Sequence, residues 1–150
     1  MIQRIQTVYL FLITVLAVVA LCLPVGRFLQ DGLLTAELYN LYIAPVKGEA
    51  VYAPWALFAL LLVVAVSSFA CIFLFKKRML QVRMIIFNAL LLIGYYIAYG
   101  VFAFILAKEW GTFALGWSAC LPAVALILDY LAFRAVMKDE MIVRSLDRLR

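Results

Sequence analysis

Residues 54–75 read PWALFALLLVVAVSSFACIFLF, without a single charged side chain, and Lys76, Lys77 and Arg78 follow directly. An α-helix rises about 1.5 Å per residue, so about 20 such residues cross the apolar core of a bilayer, which is about 30 Å thick. The run does not alternate between polar and apolar residues, as a strand of a membrane β-barrel would. It therefore predicts a membrane-spanning helix.

Three more runs of this kind occur in the chain, which gives four predicted spans at about residues 5–24, 54–75, 84–107 and 113–135. Of the 150 residues, 69% are apolar and 14% are charged, whereas soluble domains average about 45–50% and about 25%. A soluble fold of this size could not bury so much apolar surface. We expect one all-α membrane domain over residues 1–150, a four-transmembrane-helix bundle. The first run could be a signal peptide, but its length and the absence of an Ala-x-Ala cleavage site favour a retained helix.

The basic residues predict the orientation of these spans. Ten of the 13 Lys and Arg residues flank the start of span one, the connection between spans two and three, or the end of span four. The other three are Arg27, Lys47 and Lys108. Because basic residues accumulate on the cytoplasmic side, both termini are expected in the cytoplasm. Basic side chains at membrane boundaries predict contact with anionic lipid headgroups, and they do not form the basic face that nucleic-acid binding needs.

The loop between spans one and two, residues 25–53, is the longest predicted extramembrane segment. It is rich in Leu and Tyr, and it lacks the Gly/Ser composition of a flexible linker. Residues 35–43 could form a strand, with Gly32, Asn40, Pro45 and Gly48 as turn signals. We expect a small, partly β extracytoplasmic element of two or three strands, or of one strand and a short helix.

Few residues offer chemistry. The chain contains no histidine, which excludes a histidine base, a histidine-ligated haem and most zinc sites. Cys22, Cys71 and Cys120 lie in or beside apolar runs without a Cys-x-x-Cys spacing, so free thiols are predicted. We expect no catalytic residue, no metal ion and no cofactor, and hence no enzyme.

Arg134 marks the end of the fourth predicted span, and Asp129, five residues before it, is the one charged residue in the interior of a span. A buried carboxyl needs a hydrogen-bond partner or a proton, and ionisable groups inside membranes often mark functional sites. Asn88, Tyr95 and Tyr99 are spaced seven and four apart on one face of helix three. We expect Asp129 to face Asn88 or Tyr95.

The candidate intramembrane polar cluster is therefore Asp129, Asn88, Tyr95, Tyr99 and Ser67. Three interpretations of it stay open. It could be a hydrogen-bonded packing cluster that holds helices together. It could be a proton- or ion-linked layer in a transport path. Alternatively, Asp129 could pair with a basic side chain, either Arg83 or Arg134.

The fourth span has two further features. Pro122 removes a backbone donor, and a local kink is expected there. Residues 136–150 continue the span without a helix breaker, and Ile142, Leu146 and Leu149 recur at spacings of four and three. We expect a cytoplasmic amphipathic tail, which lies on the membrane surface or docks on a partner.

The ends of the chain carry a resemblance. The first residues read MIQRIQT, and the last read KDEMIVRSLDRLR. With four spans in about 150 residues, they resemble a family of small integral membrane proteins from Bacteroidota, known as a domain of unknown function. The resemblance implies a bacterial inner-membrane protein and carries no activity. Four spans with a stranded first loop are also similar in outline to claudin-like proteins, but the paired cysteines and Trp-Gly-Leu-Trp run of those proteins are missing.

Three functions are compatible with these features. The sequence favours a non-enzymatic scaffold, assembly factor or accessory subunit of a membrane complex, which would bind a protein partner or further copies of itself. The alternative is a small transporter or channel with a polar layer around Asp129. It would work as an oligomer because one bundle of this size is too thin for an aqueous path. A membrane enzyme is the least favoured function.

Overall fold

A computed structural model of the chain describes residues 2–52, 54–74 and 76–149. It contains four long helices, each long and apolar enough to cross a membrane. They are α1 (Ile2–Cys22), α2 (Trp55–Phe73), α3 (Arg78–Trp110) and α4 (Leu121–Arg148). Ala53, Phe75 and Arg150, at which the predicted loop, second span and tail end, lie outside the described residues.

The four helices form a bundle in which α1 packs against α2 and α4, and α3 packs against the same two helices. Consecutive helices therefore lie side by side, and α4 closes the ring. Buried aliphatic residues such as Leu10, Ile13, Leu61 and Leu92 fill the interior. Residues on the outside of the bundle are also apolar, for example Val66 and Ile97. Apolar side chains both inside and outside are typical of a helix that is surrounded by lipid.

A four-stranded antiparallel sheet covers one end of this bundle. Its strands are β1 (Gly26–Gln30), β2 (Leu33–Leu38), β3 (Ile43–Pro45) and β4 (Thr112–Leu115), in the order β3-β2-β1-β4. Asp31 and Gly32 join β1 to β2, with φ angles of 54° and 80°. Positive φ at both positions of a two-residue loop matches the twist of the strands, and Asp-Gly is a favoured pair for such a hairpin.

The sheet corrects two expectations. The predicted strand over residues 35–43 is wrong at its end, because the chain turns at Tyr39–Tyr42 and the Tyr39 N–H donates to the Tyr42 carbonyl at 2.9 Å. The sheet also has four strands, since the connection between α3 and α4 supplies β4. The span predicted to begin at residue 113 therefore begins later. Residues 112–115 are extended, and the helix follows a short 3₁₀ helix, Trp117–Cys120.

Two glycines allow β4 to lie against β1. Gly111 has φ of 107°, and a Cβ atom there would lie 2.5 Å from the Leu29 carbonyl oxygen. A Cβ atom on Gly116 would lie 2.8 Å from the Val25 carbonyl carbon. Neither position has room for a side chain, and the first also needs a backbone conformation that glycine adopts without strain.

The start and end of α4 resolve the other expectations for the fourth span. Pro122 lies in the first turn of α4, where a missing N–H breaks no helical hydrogen bond, so the expected kink inside the helix is wrong. The helix then continues to Arg148, as the predicted extension requires. Its last turns leave Met141 and Leu146 exposed, and Leu149, directly after the helix, is exposed as well.

Candidate functional site

Two hydrogen-bonded clusters contain most of the buried polar residues of the bundle, and Asp129 belongs to neither. The clusters lie toward the sheet end and in the middle of the bundle. Asp129 lies on α4 beside residues 85–90 of α3, closer to the start of α3 than to its end. We call the end of the bundle where α2 and α3 are connected, and where most basic residues lie, the basic end. The structure thus divides the residues that the sequence placed in one cluster.

The first cluster, which we call the sheet anchor, is centred on Asn40. This side chain is fully buried, and its Nδ2 donates to the Ala20 carbonyl of α1 at 2.8 Å. Its Oδ1 accepts from the Tyr95 hydroxyl of α3 at 2.6 Å, and its carbonyl accepts from the Phe58 N–H of α2 at 3.2 Å. One loop residue therefore connects three helices.

Three more side chains complete the sheet anchor. The Tyr99 hydroxyl donates to the Val25 carbonyl at 2.6 Å, and the Tyr96 hydroxyl donates to the Ala119 carbonyl at 2.7 Å. Ser118, which is also buried, donates to the Pro24 carbonyl. These bonds tie α3 and the chain before α4 to the backbone that leads into the sheet. Tyr95 and Tyr99, predicted to surround Asp129, belong to this cluster instead.

The second cluster joins α2 to α3 in the middle of the bundle. Ser67 donates to Asn88 Oδ1 and also contacts the Val64 carbonyl at 3.1 Å. Asn88 Nδ2 donates to the Ser68 hydroxyl oxygen at 2.8 Å. The structure therefore brings together Ser67 and Asn88 from the predicted set. Buried amide and hydroxyl groups that satisfy one another in this way hold membrane helices together.

Asp129 differs from both clusters. Its side chain is fully buried, yet neither carboxyl oxygen has a hydrogen-bond partner among residues 2–52, 54–74 and 76–149. The expected pairing with Asn88 or Tyr95 is wrong, because those side chains bind groups of α2 and of the loop before it. No ion pair joins Asp129 to Arg83 or Arg134 in the described part of the chain either.

A groove between α3 and α4 passes over Asp129. It has a volume of about 370 Å³, and apart from Asp129 its lining is apolar or aromatic: Ile85, Ile86, Ala89, Leu90, Leu126, Tyr130 and Phe133. Ile86, Leu90 and Tyr130 are exposed on the outer side of the bundle. The groove therefore opens sideways, toward the space that lipid would occupy, and its lining is not that of an aqueous channel.

Gln81, one turn before Ile85 on α3, is a second buried residue with an unsatisfied atom. Its Nε2 donates to the Cys71 carbonyl at 3.3 Å, while its Oε1 has no partner among the described residues. Sequence reasoning missed Gln81 because the predicted third span began at residue 84. The available signal was an amide one turn before an apolar helical face.

Polar contacts beyond Gln81 fix the basic end of the bundle. Arg78 Nε lies 3.3 Å from Asp139 Oδ2, which joins the start of α3 to α4. Gln6 Nε2 donates to the Ala135 carbonyl at 3.2 Å and so joins α1 to α4. In the described residues, no three Asp, Glu or Cys side chains form a group that could hold a metal ion. The expectation that no metal or cofactor is bound stays a prediction.

Comparison with models of protein families identifies the family of this chain. The family described as Domain of unknown function (DUF4293) matches residues 2–149, which is nearly the whole chain. A search of curated proteins found no match.

Proposed function

The chain belongs to the DUF4293 family, and we propose that it is a non-enzymatic membrane protein that acts as a scaffold, assembly factor or accessory subunit of a membrane complex. The observation that carries this proposal is the Asp129 carboxyl, buried without a partner beneath a groove that opens on the side of the bundle. Leaving a buried polar group unpaired costs about 1–3 kcal/mol. A molecule that supplies a donor there would recover part of that free energy.

The proposed location is a bacterial inner membrane, with both termini in the cytoplasm. The four apolar helices and the unequal distribution of Lys and Arg support it. Arg27 lies in β1 at the sheet end, whereas Arg78 and Arg134 belong to the group of ten basic residues at the opposite end. Reporter fusions at each terminus and at Lys47 test this orientation. A cytoplasmic signal at both termini and an external signal at Lys47 are expected, and the reverse pattern would contradict the proposal.

The experiment for the assembly role is purification of the tagged chain from native membranes under mild detergent. We expect a stoichiometric complex that Asp129→Leu weakens, since leucine cannot accept a hydrogen bond. Ile127→Leu, on the exposed side of the same helix, is the matched control and should leave the complex intact. Recovery of the chain only as a monomer, with neither another protein nor a second copy bound, would contradict the assembly role.

The second candidate function is an oligomeric transporter or channel. The observation that favours it is a second acceptor without a donor, the Oε1 atom of Gln81, one turn of α3 before the groove residue Ile85. Ionisable groups such as Asp129 inside a membrane often mark ion or proton pathways. Flux into proteoliposomes that Asp129→Asn abolishes would support this role. Equal flux through the wild type and that variant would remove Asp129 from any such path.

A further inference from the structure

We propose that the α3–α4 groove is covered by the same groove of a second copy of this chain, whose Tyr130 hydroxyl donates a hydrogen bond to Asp129. This inference rests on the assembly role proposed above and names the partner that completes the site. It has three parts: a buried acceptor without a donor, an exposed donor beside it, and a symmetry that brings the two together.

The acceptor lacks a donor. Its oxygens are covered in the single chain, so the Asp129 side chain has to rotate toward the groove for the hydroxyl of the second copy to reach it. Asp129 is fully buried and both of its oxygens lack partners in the described residues. The other donors buried in the interior are already engaged, since Ser67, Asn88 and Gln81 all donate to neighbouring groups. Acyl chains of lipids would fill the apolar groove and leave the carboxyl unpaired. The groove therefore needs an occupant with both an apolar body and a donor.

The donor lies on the wall of the same groove. Tyr130 is 59% exposed, and no hydrogen bond of its hydroxyl is found in the described part of the chain. Leu126, Tyr130 and Phe133 are spaced four and three apart, so they form one stripe along α4. The ring of Tyr130 is the exposed member of this stripe and extends away from the bundle. A groove of about 370 Å³ has room for one such ring.

Two-fold symmetry matches the donor to the acceptor. An axis along the membrane normal places each residue of one copy at the depth of its counterpart in the other. Tyr130 follows Asp129 directly, so their backbones differ by only about 1.5 Å along the helix. Each copy then gives one tyrosine and receives one, and both carboxyls gain a donor. The groove spans residues 126–133 of α4, or about 10 Å of helix, which is enough for two turns of contact.

The experiment measures the dimerisation constant of the purified full chain in lipid bilayers, by counting labelled subunits as the protein is diluted with lipid. Tyr130→Phe keeps the ring and removes the donor, and Asp129→Leu removes the acceptor. Each loses both symmetric hydrogen bonds, so we expect dimerisation about tenfold weaker or more. Asp129→Asn keeps a carbonyl acceptor and should retain most of the affinity. Tyr9→Phe, on α1, is the matched control and should not change it.

The double variant separates a direct bond from a general disturbance. If Tyr130 bonds to Asp129 across the interface, adding Tyr130→Phe to Asp129→Leu should cause little further loss. Fully additive losses would overturn the proposal. Dimerisation that neither single variant changes would overturn it as well, while leaving the assembly role intact.

A photo-reactive residue at Leu90, on the groove wall, identifies the occupant in native membranes. Val66, on the outer side of α2 and outside the groove lining, has nearly the same exposure (61% against 62%) and serves as the control position. Cross-links between two copies from Leu90 and not from Val66 are expected. Cross-links from Leu90 to a different protein would overturn the second copy as the occupant and support the assembly role. Cross-links to lipid alone would contradict both.

Discussion

The sheet anchor and the Asp129 groove treat buried polar groups in opposite ways. At the sheet end, Asn40, Tyr95, Tyr99 and Ser118 are buried and each has a hydrogen-bond partner. Toward the basic end, Asp129 is equally buried and has none among the described residues. The difference separates two uses of polarity inside a bundle of apolar helices. Satisfied groups fix one structure, and an unsatisfied group leaves a place for something that is not part of the chain.

The largest effect is expected at the centre of the sheet anchor. Asn40→Ala removes two hydrogen bonds and leaves the Tyr95 hydroxyl and the Ala20 carbonyl buried without partners. We expect the free energy of unfolding in detergent to fall by about 2–5 kcal/mol, since each unpaired buried group costs about 1–3 kcal/mol. Glu49→Ala, exposed in the same loop, is the control. A loss no greater than that of the control would show that Asn40 is not the anchor.

The next effect concerns the close contact of β4 with β1. Gly111→Ala places a Cβ atom 2.5 Å from the Leu29 carbonyl oxygen at a φ of 107°. We expect a loss of about 2–3 kcal/mol in the free energy of unfolding, because strained backbone positions cost about 1–3 kcal/mol and the contact adds to this. Gly100→Ala is the matched control. It lies in α3 with open space around it, so it should stabilise the helix by about 0.5–1 kcal/mol. A change of the same sign in the free energy of unfolding of both variants would contradict the close packing of β4 on β1.

A smaller effect is expected when one bond of the sheet anchor is removed. Tyr95→Phe keeps the stacked ring and leaves Asn40 Oδ1 without its donor. The melting temperature should decrease by an amount that corresponds to about 1–2 kcal/mol. Tyr52→Phe, with an exposed ring at the sheet end, should leave the melting temperature unchanged. Equal melting temperatures for the two variants would mean that Tyr95 contributes only its ring.

Sequence reasoning located the helices better than the polar contacts, for physical reasons. Apolar runs such as residues 54–75 are long enough that only a helix fits them, so four helices followed directly. The Asp31-Gly32 pair is a hairpin signal that identifies β1 and β2, but the prediction used only Gly32, as a turn signal, and placed no strand before it. Strand β4 was harder to recognise, because Thr112–Leu115 merges into the apolar run of α4. Only the glycines at 111 and 116 mark its ends.

The sequence pointed to Asp129 as the unusual buried residue, but it gave Asp129 the wrong hydrogen-bond partners. Hydropathy is enough to single out Asp129, because it is the one charge in the interior of a predicted span. Spacing along α3 also gave the correct face for Asn88, Tyr95 and Tyr99, all of which are buried. However, spacing along α3 does not show which face α4 turns toward that helix. It also does not place a loop residue such as Asn40. The expected pairing of Asp129 with Asn88 or Tyr95 used only their similar positions along the helices, and these groups lie on different sides of α3.

The most direct test of the comparison is the free energy of unfolding of Asp129→Leu and Asn88→Leu, measured under conditions where the chain is monomeric. Asn88→Leu breaks a satisfied cluster and should destabilise the protein by about 1 kcal/mol. Asp129→Leu removes a buried group without partners and should leave stability unchanged or raise it by about 1 kcal/mol. We expect the free energy of unfolding to fall in Asn88→Leu and to stay unchanged or rise in Asp129→Leu. An equal loss in both variants would mean that Asp129 is part of the packing like any other buried polar residue, and it would contradict the account.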